Sequence, residues 1–373
     1  MAMRIAHVVR QFYPCQGGIE TFVLSLAKHQ RVLGARPEVL TLDRRFSRQG
    51  VPLPAEDNID GLPVHRIPYF GSRRYPIAPR VLSWLEPFDI VHVHAVDFFC
   101  DYLAAAKPLH RKCLVISTHG GYFHTSFASW LKPVFFQTVT RWSLRGYSRV
   151  FASSINDEEL FEKVAGDRVI RIDNGVDTDK FAGLASPTMS PTFVYFGRFA
   201  PNKGLEDLVD TFDALWVKQP NAHLHLMGSD WNGTLPGLCE RISELRCRAH
   251  VKTHVDPTDS DIARIISESS FFISASRYEG FGIALVEAIS AGLLPIVSKL
   301  PSFRSILGGT RAGLTVSFDH AAEAADRIAA FVARAEQCYT ESQREMMERA
   351  AAYSWDTVAP RFLAEYDRAL SRS

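Results

Sequence analysis

The sequence predicts an α/β protein with two doubly wound parallel sheets. Its 373 residues exceed what one hydrophobic core usually organises, so two domains are expected. A buried strand at 4–9, an amphipathic helix at 19–33 and a strand at 38–42 form a βαβ pattern. Such a unit requires a parallel pair with a right-handed crossover. The same succession restarts with a buried strand at 193–196, which leads through a glycine-bounded loop into a helix.

Composition predicts the boundary between the two domains. Residues 185–192 read Ala-Ser-Pro-Thr-Met-Ser-Pro-Thr, a run of prolines and hydroxyl side chains that is typical of a linker. We therefore expect one Rossmann-like domain at 1–184 and another at 192–355.

The overall composition is that of a soluble globular protein, with 46% hydrophobic and 22% charged residues. Residues 1–183 hold 23 Lys and Arg against 18 Asp and Glu, and the remainder holds 19 against 23, which does not suggest a nucleic-acid binder. The six cysteines form no C-x-x-C pair, which favours reduced thiols in the cytoplasm. We expect neither a signal peptide nor a membrane-spanning helix, because the chain enters a strand directly and has no long apolar run.

The stretch at 276–291 is the strongest site candidate. It reads Ser-Arg-Tyr-Glu-Gly-Phe-Gly-Ile-Ala-Leu-Val-Glu-Ala-Ile-Ser-Ala and follows a buried strand at 271–275. Glycines permit close backbone approach, and the start of the following helix offers N–H groups to an anion. An ordinary strand–turn–helix would explain the glycines. It would not explain Glu279 before the turn or Glu287 inside an apolar helix, because burying an unpaired charge is costly.

A basic loop in the second half complements this stretch. The strand at 193–196 leads into Gly-Arg-Phe-Ala-Pro-Asn-Lys-Gly at 197–204, directly before a helix. Arg198 offers a planar fork of donors and Lys203 a mobile charge, and together they suit a diphosphate. Solvation of a loop explains one basic residue more readily than this pair.

Two further features of the second half concern the nucleobase and a possible metal. The strand that ends at Gly228 provides an edge that suits a nucleobase. Asp259-Ser260-Asp261 resembles a metal-binding D-x-D, but the preceding Pro257-Thr258 favours a helix cap. We expect no metal.

In the first half, glycines or histidines follow three predicted strands. Gly17 and Gly18 precede the first helix and suit a phosphate or a sugar, although a plain tight turn is the alternative. The loop lacks G-x-G-x-x-G, which disfavours a dinucleotide-dependent oxidoreductase. His94 and His119 end two consecutive strands. Since ligands of open α/β sheets bind at the carboxyl edge, the two histidines favour a polar site over coincidence, and zinc is rejected because further ligands at metal spacing are missing.

The segment 107–149 contains seven basic residues and no Asp or Glu, with aromatic side chains such as Phe135 and Trp142 among them. Basic and interfacial aromatic side chains together suit a surface that rests on anionic lipid. A core helix with a solvated basic face is an equally good explanation.

Together these motifs resemble those of the retaining glycosyltransferases of family 4, which have the two-domain GT-B architecture. The residues that carry the resemblance run in the family's order along nearly the whole chain: Gly17-Gly18, His119, Asn174-Gly175-Val176-Asp177, Gly197-Arg198, Asn202-Lys203-Gly204 and Glu279-Gly280-Phe281-Gly282 through Glu287. The resemblance implies two Rossmann-like domains facing a cleft, with the last helix, 356–373, joining the first domain.

The resemblance also implies roles for individual residues. Arg198 and Lys203 would hold the donor diphosphate, Glu279 the hydroxyls of the donor sugar, and Glu287 the ribose. The expected donor-binding residues are Gly17, Gly18, Arg198, Lys203, Gly228, Glu279, Gly280, Phe281, Gly282, Ile283 and Glu287. The expected acceptor-binding residues are His94, His119 and Tyr122, and the expected catalytic residues are His119, Arg198, Lys203 and Glu279.

Several segments, among them His-Val-Val-Arg-Gln-Phe at 7–12 and Ser-Thr-His-Gly-Gly-Tyr-Phe-His-Thr at 117–125, resemble the mannosyltransferases of xanthan- and acetan-type exopolysaccharide assembly. This implies GDP-mannose as donor, polyprenyl-diphosphate-linked cellobiose as acceptor and an α-1,3 linkage. A peripheral location on the inner face of the cell membrane is expected.

The expected mechanism is retaining transfer without a covalent enzyme intermediate, because both glutamates are assigned to hydroxyl contacts. Catalysis would then depend on stabilising the departing diphosphate, which requires no metal or other cofactor. Two alternatives remain open at this point: a nucleotide-sugar-binding protein without turnover, and a family 4 transferase with another donor or acceptor.

Overall fold

The computed structural model describes residues 2–15, 17–46, 48–73, 75–120, 131–230 and 233–372. The strands in chain order are β1 Arg4–Val8, β2 Arg36–Leu42, β3 Arg44–Arg45, β4 Arg48–Pro52, β5 Glu56–Ile59, β6 Leu62–Ile67, β7 Phe70–Ser72, β8 Tyr75–Ile77, β9 Ile90–His94, β10 Cys113–Ser117, β11 Arg149–Ala152, β12 Val169–Arg171, β13 Thr192–Phe196, β14 His223–Gly228, β15 Val251–Val255, β16 Phe271–Ser274, β17 Leu294–Ser298 and β18 Leu314–Val316. The helices are α1 Gly18–Val32, α2 Phe98–Ala105, α3 Lys107–His110, α4 Leu131–Phe135, α5 Arg141–Leu144, α6 Ile155–Ala165, α7 Leu205–Trp216, α8 Leu235–Glu244, α9 Asp259–Ile266, α10 Ile283–Ser290, α11 Pro301–Leu307, α12 Ala321–Ala335, α13 Tyr339–Ala351 and α14 Trp355–Leu370.

The chain forms two compact units. The first unit consists of Met1–Gly175 with Trp355–Ser373, and the second of Val176–Ser354. Each has its own parallel sheet, as the sequence predicts, and α14 belongs to the first unit, which confirms the expected return of the last helix. Within the described residues, no helix combines the length and the apolar character needed to cross a bilayer.

The first unit is built on a sheet of eight described strands in the order β12-β11-β10-β9-β1-β2-β6-β5. Its neighbouring strands pair in parallel, except that β5 and β6 are antiparallel. The chain moves outward from β1 through β2 to β6 and then returns to β9 on the other side of β1. The carboxyl edge between β1 and β9 is therefore a topological switch point, where open α/β sheets bind ligands.

The second unit repeats this plan with six parallel strands in the order β15-β14-β13-β16-β17-β18. The strands follow the Rossmann succession, with β13 at the centre and a reversal of direction between β13 and β16. The switch point of the second unit thus lies between the carboxyl ends of β13 and β16.

Alternation along the central strands of the first unit separates two packed faces, because successive side chains of a strand point to opposite sides. Ala6 and Val8 of β1 lie in a core with residues of α2 and α6. Ile5 lies in another core, with residues of α1 and α14. His7 shares the parity of Ile5, and its register partner is His92 of β9. Polar side chains are therefore buried on the face covered by α1 and α14.

The boundary between the units differs from the one predicted at 185–192. Residues 176–184 belong to the second unit, and Phe181 and Ala185 are part of its core. The Ser186 N–H donates to the Ser269 carbonyl at 3.0 Å, and the Ser190 N–H donates to Ser270 Oγ at 2.8 Å. The run of Pro, Ser and Thr marks irregular backbone correctly, but its hydrogen bonds attach it to the second sheet. Composition alone carries no information about such attachments.

Candidate active site

The two motifs of the second unit meet at its switch point. Arg198 and Lys203 follow β13, and Glu279 follows the neighbouring strand β16. The Arg277 N–H donates to the Asn202 carbonyl at 2.9 Å, and Asn202 Nδ2 donates to the Tyr278 carbonyl at 3.3 Å. These two bonds join the basic loop to the glutamate loop. The structure thus brings together two motifs that lie 76 residues apart in the sequence, counted from Asn202 to Tyr278.

Lys203 and Glu279 form an ion pair, with Nζ and Oε2 2.5 Å apart. Both side chains are largely buried, at 14% and 22% exposure, so the contact is shielded from solvent more than a surface pair is. The Ser302 hydroxyl donates to the Glu279 carbonyl at 3.2 Å and fixes the glutamate backbone. The sequence assigned these two side chains to separate parts of a donor, and the structure makes them direct partners. A group that binds Lys203 therefore also lies beside a carboxylate.

The Arg198 side chain is exposed, whereas its backbone is hydrogen-bonded to the Tyr195 side chain. The Tyr195 hydroxyl donates to the Arg198 carbonyl at 2.8 Å, and burial raises the pKa of this phenol, so it remains a donor. The preceding Gly197 has a φ of +152°. This turn presents a guanidinium at the carboxyl edge of β13.

Two of the glycines in these motifs are required by packing within the unit. A Cβ at Gly228 would lie 1.7 Å from the Gly197 carbonyl oxygen, and one at Gly204 would lie 2.3 Å from the Ala275 carbonyl oxygen. No side chain fits at either position. Space around Gly280 is open. The role of Gly228 beside a nucleobase remains a prediction, because backbone packing alone explains this glycine.

At the Gly-Phe-Gly turn, Phe281 is buried, whereas Ile283, which directly follows the turn, is exposed. The Phe281 side chain is 7% exposed and belongs to the core of the second unit, so only its backbone is available to a donor. The donor contact of Phe281 stays a prediction, to be made by its backbone. Gly282 has a φ of +114° and caps α10, whereas Ile283 is 46% exposed at the first position of that helix.

Glu287 lies in a cluster that the sequence did not predict. Burial raises its pKa to about 7, although Lys180 Nζ lies 3.9 Å from its carboxylate. Lys180 also binds Asp259 at 2.8 Å. A pKa of about 7 means that the Glu287 carboxyl group is partly protonated near neutral pH, and its predicted contact with a ribose stays a prediction. Lys180 was missed because residues 176–184 were assigned to the other domain.

The Asp259-Ser260-Asp261 segment serves as a helix cap, as predicted. The N-cap of α9 is Thr258, whose side chain accepts from the Asp261 N–H, while the Asp261 carboxylate accepts from the Thr258 N–H at 3.0 Å. The segment's carboxylates are thus engaged by the protein itself.

At the switch point of the first unit, Gly17 and Gly18 follow β1 and begin α1. A Cβ at Gly17 would lie 2.6 Å from Glu20 Oε2, so a carboxylate lies directly over this loop. Burial raises the pKa of Glu20. A carboxyl group beside the loop favours a hydroxyl-bearing sugar over a phosphate, because it accepts hydrogen bonds and repels anions.

His119 has a left-handed backbone, with a φ of +50°, which is uncommon for a residue other than glycine. Asp157 stabilises this conformation by accepting hydrogen bonds from the residues before and after His119. Its Oδ2 accepts from Thr118 Oγ1 at 2.8 Å and from the Gly120 N–H at 2.9 Å. Asp157 is nearly fully buried. Sequence analysis missed it because Ser154-x-x-Asp157 has the pattern of a helix cap, which it also forms.

His94 and His119 lie together as predicted, with His94 Nδ1 3.1 Å from His119 Nε2. The other ring nitrogen of His94 lies 3.0 Å from His7, and the His94 side chain is 1% exposed. Both nitrogens of His94 are therefore engaged by other histidines, so the expectation that His94 contacts an acceptor directly is wrong. Tyr122, the third predicted acceptor residue, lies outside the described residues.

Ring nitrogens of His7, His92 and His94 lie within 4.8 Å of one another, which is a possible arrangement for a metal ion. The hydrogen bonds of these rings give a different interpretation. His7 binds Gln30 at 2.8 Å, and His92 binds Tyr366 at 2.6 Å and Ser117 at 2.8 Å. A metal would have to displace these buried partners, so a hydrogen-bonded network explains the cluster better.

Two family models match the chain and define its class. The model described as "Glycosyltransferase Family 4" matches residues 16–180, and the one described as "Glycosyl transferases group 1" matches residues 176–352. A crystal structure of a glycosyltransferase from Rickettsia africae ESF-5 has the same fold, with a TM-score of 0.77 at 18% identity and 100% coverage of both chains.

Two relatives narrow the class. A GDP-mannose:cellobiosyl-diphosphopolyprenol alpha-mannosyltransferase from Xanthomonas oryzae pv. oryzae is 42% identical, over 99% of this chain and 97% of its own. A protein of the same name from Komagataeibacter xylinus is 38% identical, over 100% of this chain and 94% of its own. The chain belongs to the family 4 glycosyltransferases of GT-B fold.

Proposed function

We propose that this protein transfers mannose from GDP-mannose to polyprenyl-diphosphate-linked cellobiose in the assembly of an exopolysaccharide repeat unit. The observation that carries the proposal is the 42% identity to an enzyme of that name across 99% of the chain. Because the match spans both units, it includes the acceptor side as well as the donor side. The linkage is α-1,3 and the anomeric configuration of the donor is retained.

The donor site lies at the switch point of the second unit. Arg198 and Lys203 bind the diphosphate, Glu279 accepts hydrogen bonds from sugar hydroxyls, and Glu287 contacts the ribose. The ion pair between Lys203 and Glu279 supports this arrangement, because one end of it favours an anion and the other a hydroxyl donor. A pKa of about 7 lets Glu287 serve a ribose as acceptor or donor.

Transfer depends on stabilising the leaving GDP. As the glycosidic bond breaks, negative charge grows on the phosphate oxygens, and the cations of Arg198 and Lys203 stabilise it. The leaving phosphate takes the acceptor proton, so no enzyme carboxylate forms a bond to the sugar. In the first unit, His119 and the glycine loop at Gly17 provide contacts for a sugar, because the Glu20 carboxyl group favours hydroxyls.

A donor panel tests the proposal. The purified protein is incubated with cellobiosyl-diphosphopolyprenol and each of GDP-mannose, UDP-glucose, UDP-galactose and ADP-glucose, and the lipid-linked product is analysed by mass spectrometry and linkage NMR. We expect one added α-1,3-mannose from GDP-mannose. Faster transfer from another donor would instead support a family 4 transferase with a different donor. Donor binding without product would support a nucleotide-sugar-binding protein without turnover. We expect activity to persist in EDTA, because the proposed diphosphate-binding groups are the side-chain cations of Arg198 and Lys203.

We propose further that the first unit contacts an anionic membrane, where a polyprenyl acceptor resides. A depression of about 700 Å³ is lined by Lys107, Arg111, Lys112, Arg145, Arg372 and Trp142, among other residues. Trp142 is 53% exposed and the nearby Leu109 is 79% exposed. Cations beside an exposed indole suit lipid headgroups.

Vesicle co-sedimentation tests the membrane proposal. We expect salt-sensitive binding to vesicles containing phosphatidylglycerol and little binding to phosphatidylcholine alone. Arg145→Glu should weaken binding, whereas Arg344→Glu, a charge reversal at an exposed side chain of α13 in the second unit, should not. Equal effects of the two variants, or no binding at low salt, would remove the proposal.

A further inference from the structure

A continuous line of hydrogen-bonded side chains crosses the buried face of the first sheet and ends at His119. Gln30 of α1 lies with Oε1 2.8 Å from His7 Nε2, and His7 Nδ1 lies 3.0 Å from His94 Nε2. His94 Nδ1 lies 3.1 Å from His119 Nε2. We call these four residues the histidine chain. Gln30 and His7 are fully buried, so water cannot replace either partner.

The amide oxygen of Gln30 determines where each proton of the histidine chain lies. An amide oxygen accepts and cannot donate, so His7 Nε2 carries a proton. Burial lowers the pKa of His7 and of His119 to about 4, and that of His94 well below its usual value, so all three rings are neutral at neutral pH. A neutral imidazole has a single N–H. His7 Nδ1 therefore accepts from His94, and His94 Nδ1 accepts from His119 Nε2.

A second branch orients the Gln30 amide. Gln30 Nε2 donates to the hydroxyl of Tyr366 on α14 at 3.2 Å. The same hydroxyl lies 2.6 Å from His92 Nδ1, and His92 Nε2 lies 2.8 Å from Ser117 Oγ. Tyr366 has one hydroxyl proton, which it donates to His92 while it accepts from Gln30. Turning the amide over would face its N–H groups towards His7 and would require every proton of the histidine chain to move.

We propose that Gln30, oriented by Tyr366, is a positioning residue that sets the tautomer of His119 through two intervening histidines. His119 Nε2 carries the proton, and Nδ1 is left as an acceptor. Such a ring accepts a hydrogen bond from a sugar hydroxyl and offers no proton to a phosphate at Nδ1. The left-handed backbone of His119, held by Asp157, orients the ring, and the histidine chain determines its chemistry.

The consequence for activity rests on the proposed function, in which His119 contacts a sugar, whereas the tautomer itself does not. Long-range ¹H–¹⁵N NMR of histidine-labelled protein distinguishes the two tautomers directly. We expect the Nε2–H pattern for His7, His94 and His119 at pH 7.5. An Nδ1–H pattern at His119 in the wild-type protein would overturn the proposal.

Three variants separate positioning from stability. Gln30→Leu removes both the acceptor and the donor, and we expect a mixed tautomer at His119 and a kcat lowered on the order of tenfold, with KM for GDP-mannose little changed. Gln30→Glu should retain the Nε2–H tautomer and most activity, because its carboxyl group still accepts from His7. Tyr366→Phe should leave the amide without its orienting partner and give a mixed tautomer again.

Tyr147→Phe is the matched control, since it removes a buried hydrogen bond, from the Tyr147 hydroxyl to the Cys100 carbonyl at 3.0 Å, in the other core of the first unit and outside the histidine chain. It should lower the melting temperature without changing the His119 tautomer or kcat. An unchanged His119 spectrum in Gln30→Leu or, if that variant does not fold, in Tyr366→Phe would show a structural role only and overturn the inference. The expected tautomers in a protein that does not use GDP-mannose would refute the proposed function and leave this inference standing.

Discussion

The switch points of the two units occupy equivalent places in similar sheets, but they carry different side chains: histidines at the first and a lysine–glutamate ion pair at the second. At the first, between β1 and β9, burial lowers the pKa values of His7 and His119 to about 4, so both rings are neutral, and the Glu20 carboxyl group lies beside the glycine loop. At the second, between β13 and β16, Lys203 and Glu279 form a close ion pair, and Lys180 lies near Glu287. The parallel sheet supplies a carboxyl edge, and the side chains placed there decide whether it suits hydroxyls or phosphates.

The largest expected effect is at the charged switch point. Lys203→Ala should lower kcat/KM for transfer by a factor on the order of 10²–10³, because it removes a cation that stabilises charge on the leaving diphosphate. Initial rates of mannose transfer measure the loss, and circular dichroism verifies folding. Lys218→Ala, which removes a lysine from an exposed ion pair with Asp326, is the control and should be close to wild type. Full activity of Lys203→Ala would contradict the assignment.

Glu279→Ala should also abolish most transfer, because it removes the acceptor for sugar hydroxyls and leaves Lys203 without its partner. Glu279→Gln retains a hydrogen-bond acceptor and should recover part of the rate. Product formation by the two variants, measured at saturating GDP-mannose, gives the comparison. Equal rates for Glu279→Ala and wild type would show that the glutamate does not contact the donor.

Asp157→Ala tests the switch point of the first unit. The change leaves Thr118, Gly120 and Ser153 without their common acceptor, and it should cost about 1–3 kcal/mol of stability and lower kcat about tenfold. Asp213→Ala is a matched control, since Asp213 is a buried carboxylate of the second unit that accepts from Arg246 and the Cys247 N–H. Both variants should have lower melting temperatures than the wild type, but only Asp157→Ala should lose activity per folded molecule. Equal specific activities would show that His119 does not depend on this anchor.

The smallest expected effect is the pH dependence of stability at Glu287, which faces Lys180, Asp259 and Asp177. Burial raises its folded-state pKa to about 7 from the usual 4.5, so the folded protein binds more protons than the unfolded chain in that interval. This group therefore lowers stability progressively as the pH rises from about 4.5 to about 7. Glu287→Gln should raise the melting temperature more at pH 8 than at pH 5. Exposed Glu240→Gln is the control, and a pH-independent difference for Glu287→Gln would contradict the raised pKa.

Much of the fold follows from local pattern. The predicted strands at 4–9, 38–42 and 193–196 correspond to β1, β2 and β13, because runs of buried β-branched and aromatic residues depend little on distant contacts. The residues of the donor motifs were likewise found from loop composition, and the family resemblance is confirmed by the two matching models.

What the sequence by itself determined is thus the succession of strands and helices, the parallel sheets and the loops that carry Arg198, Lys203 and the two glutamates, since these are properties of short segments. Only the tertiary structure decided which distant side chains share protons. Gln30 and Tyr366 are separated by 336 residues and meet under one sheet face, and Lys180 reaches Glu287 across the second unit. The charge and the tautomer of such groups depend on their burial and on their hydrogen-bond partners more than on residue type. Burial and partners arise only when the chain folds.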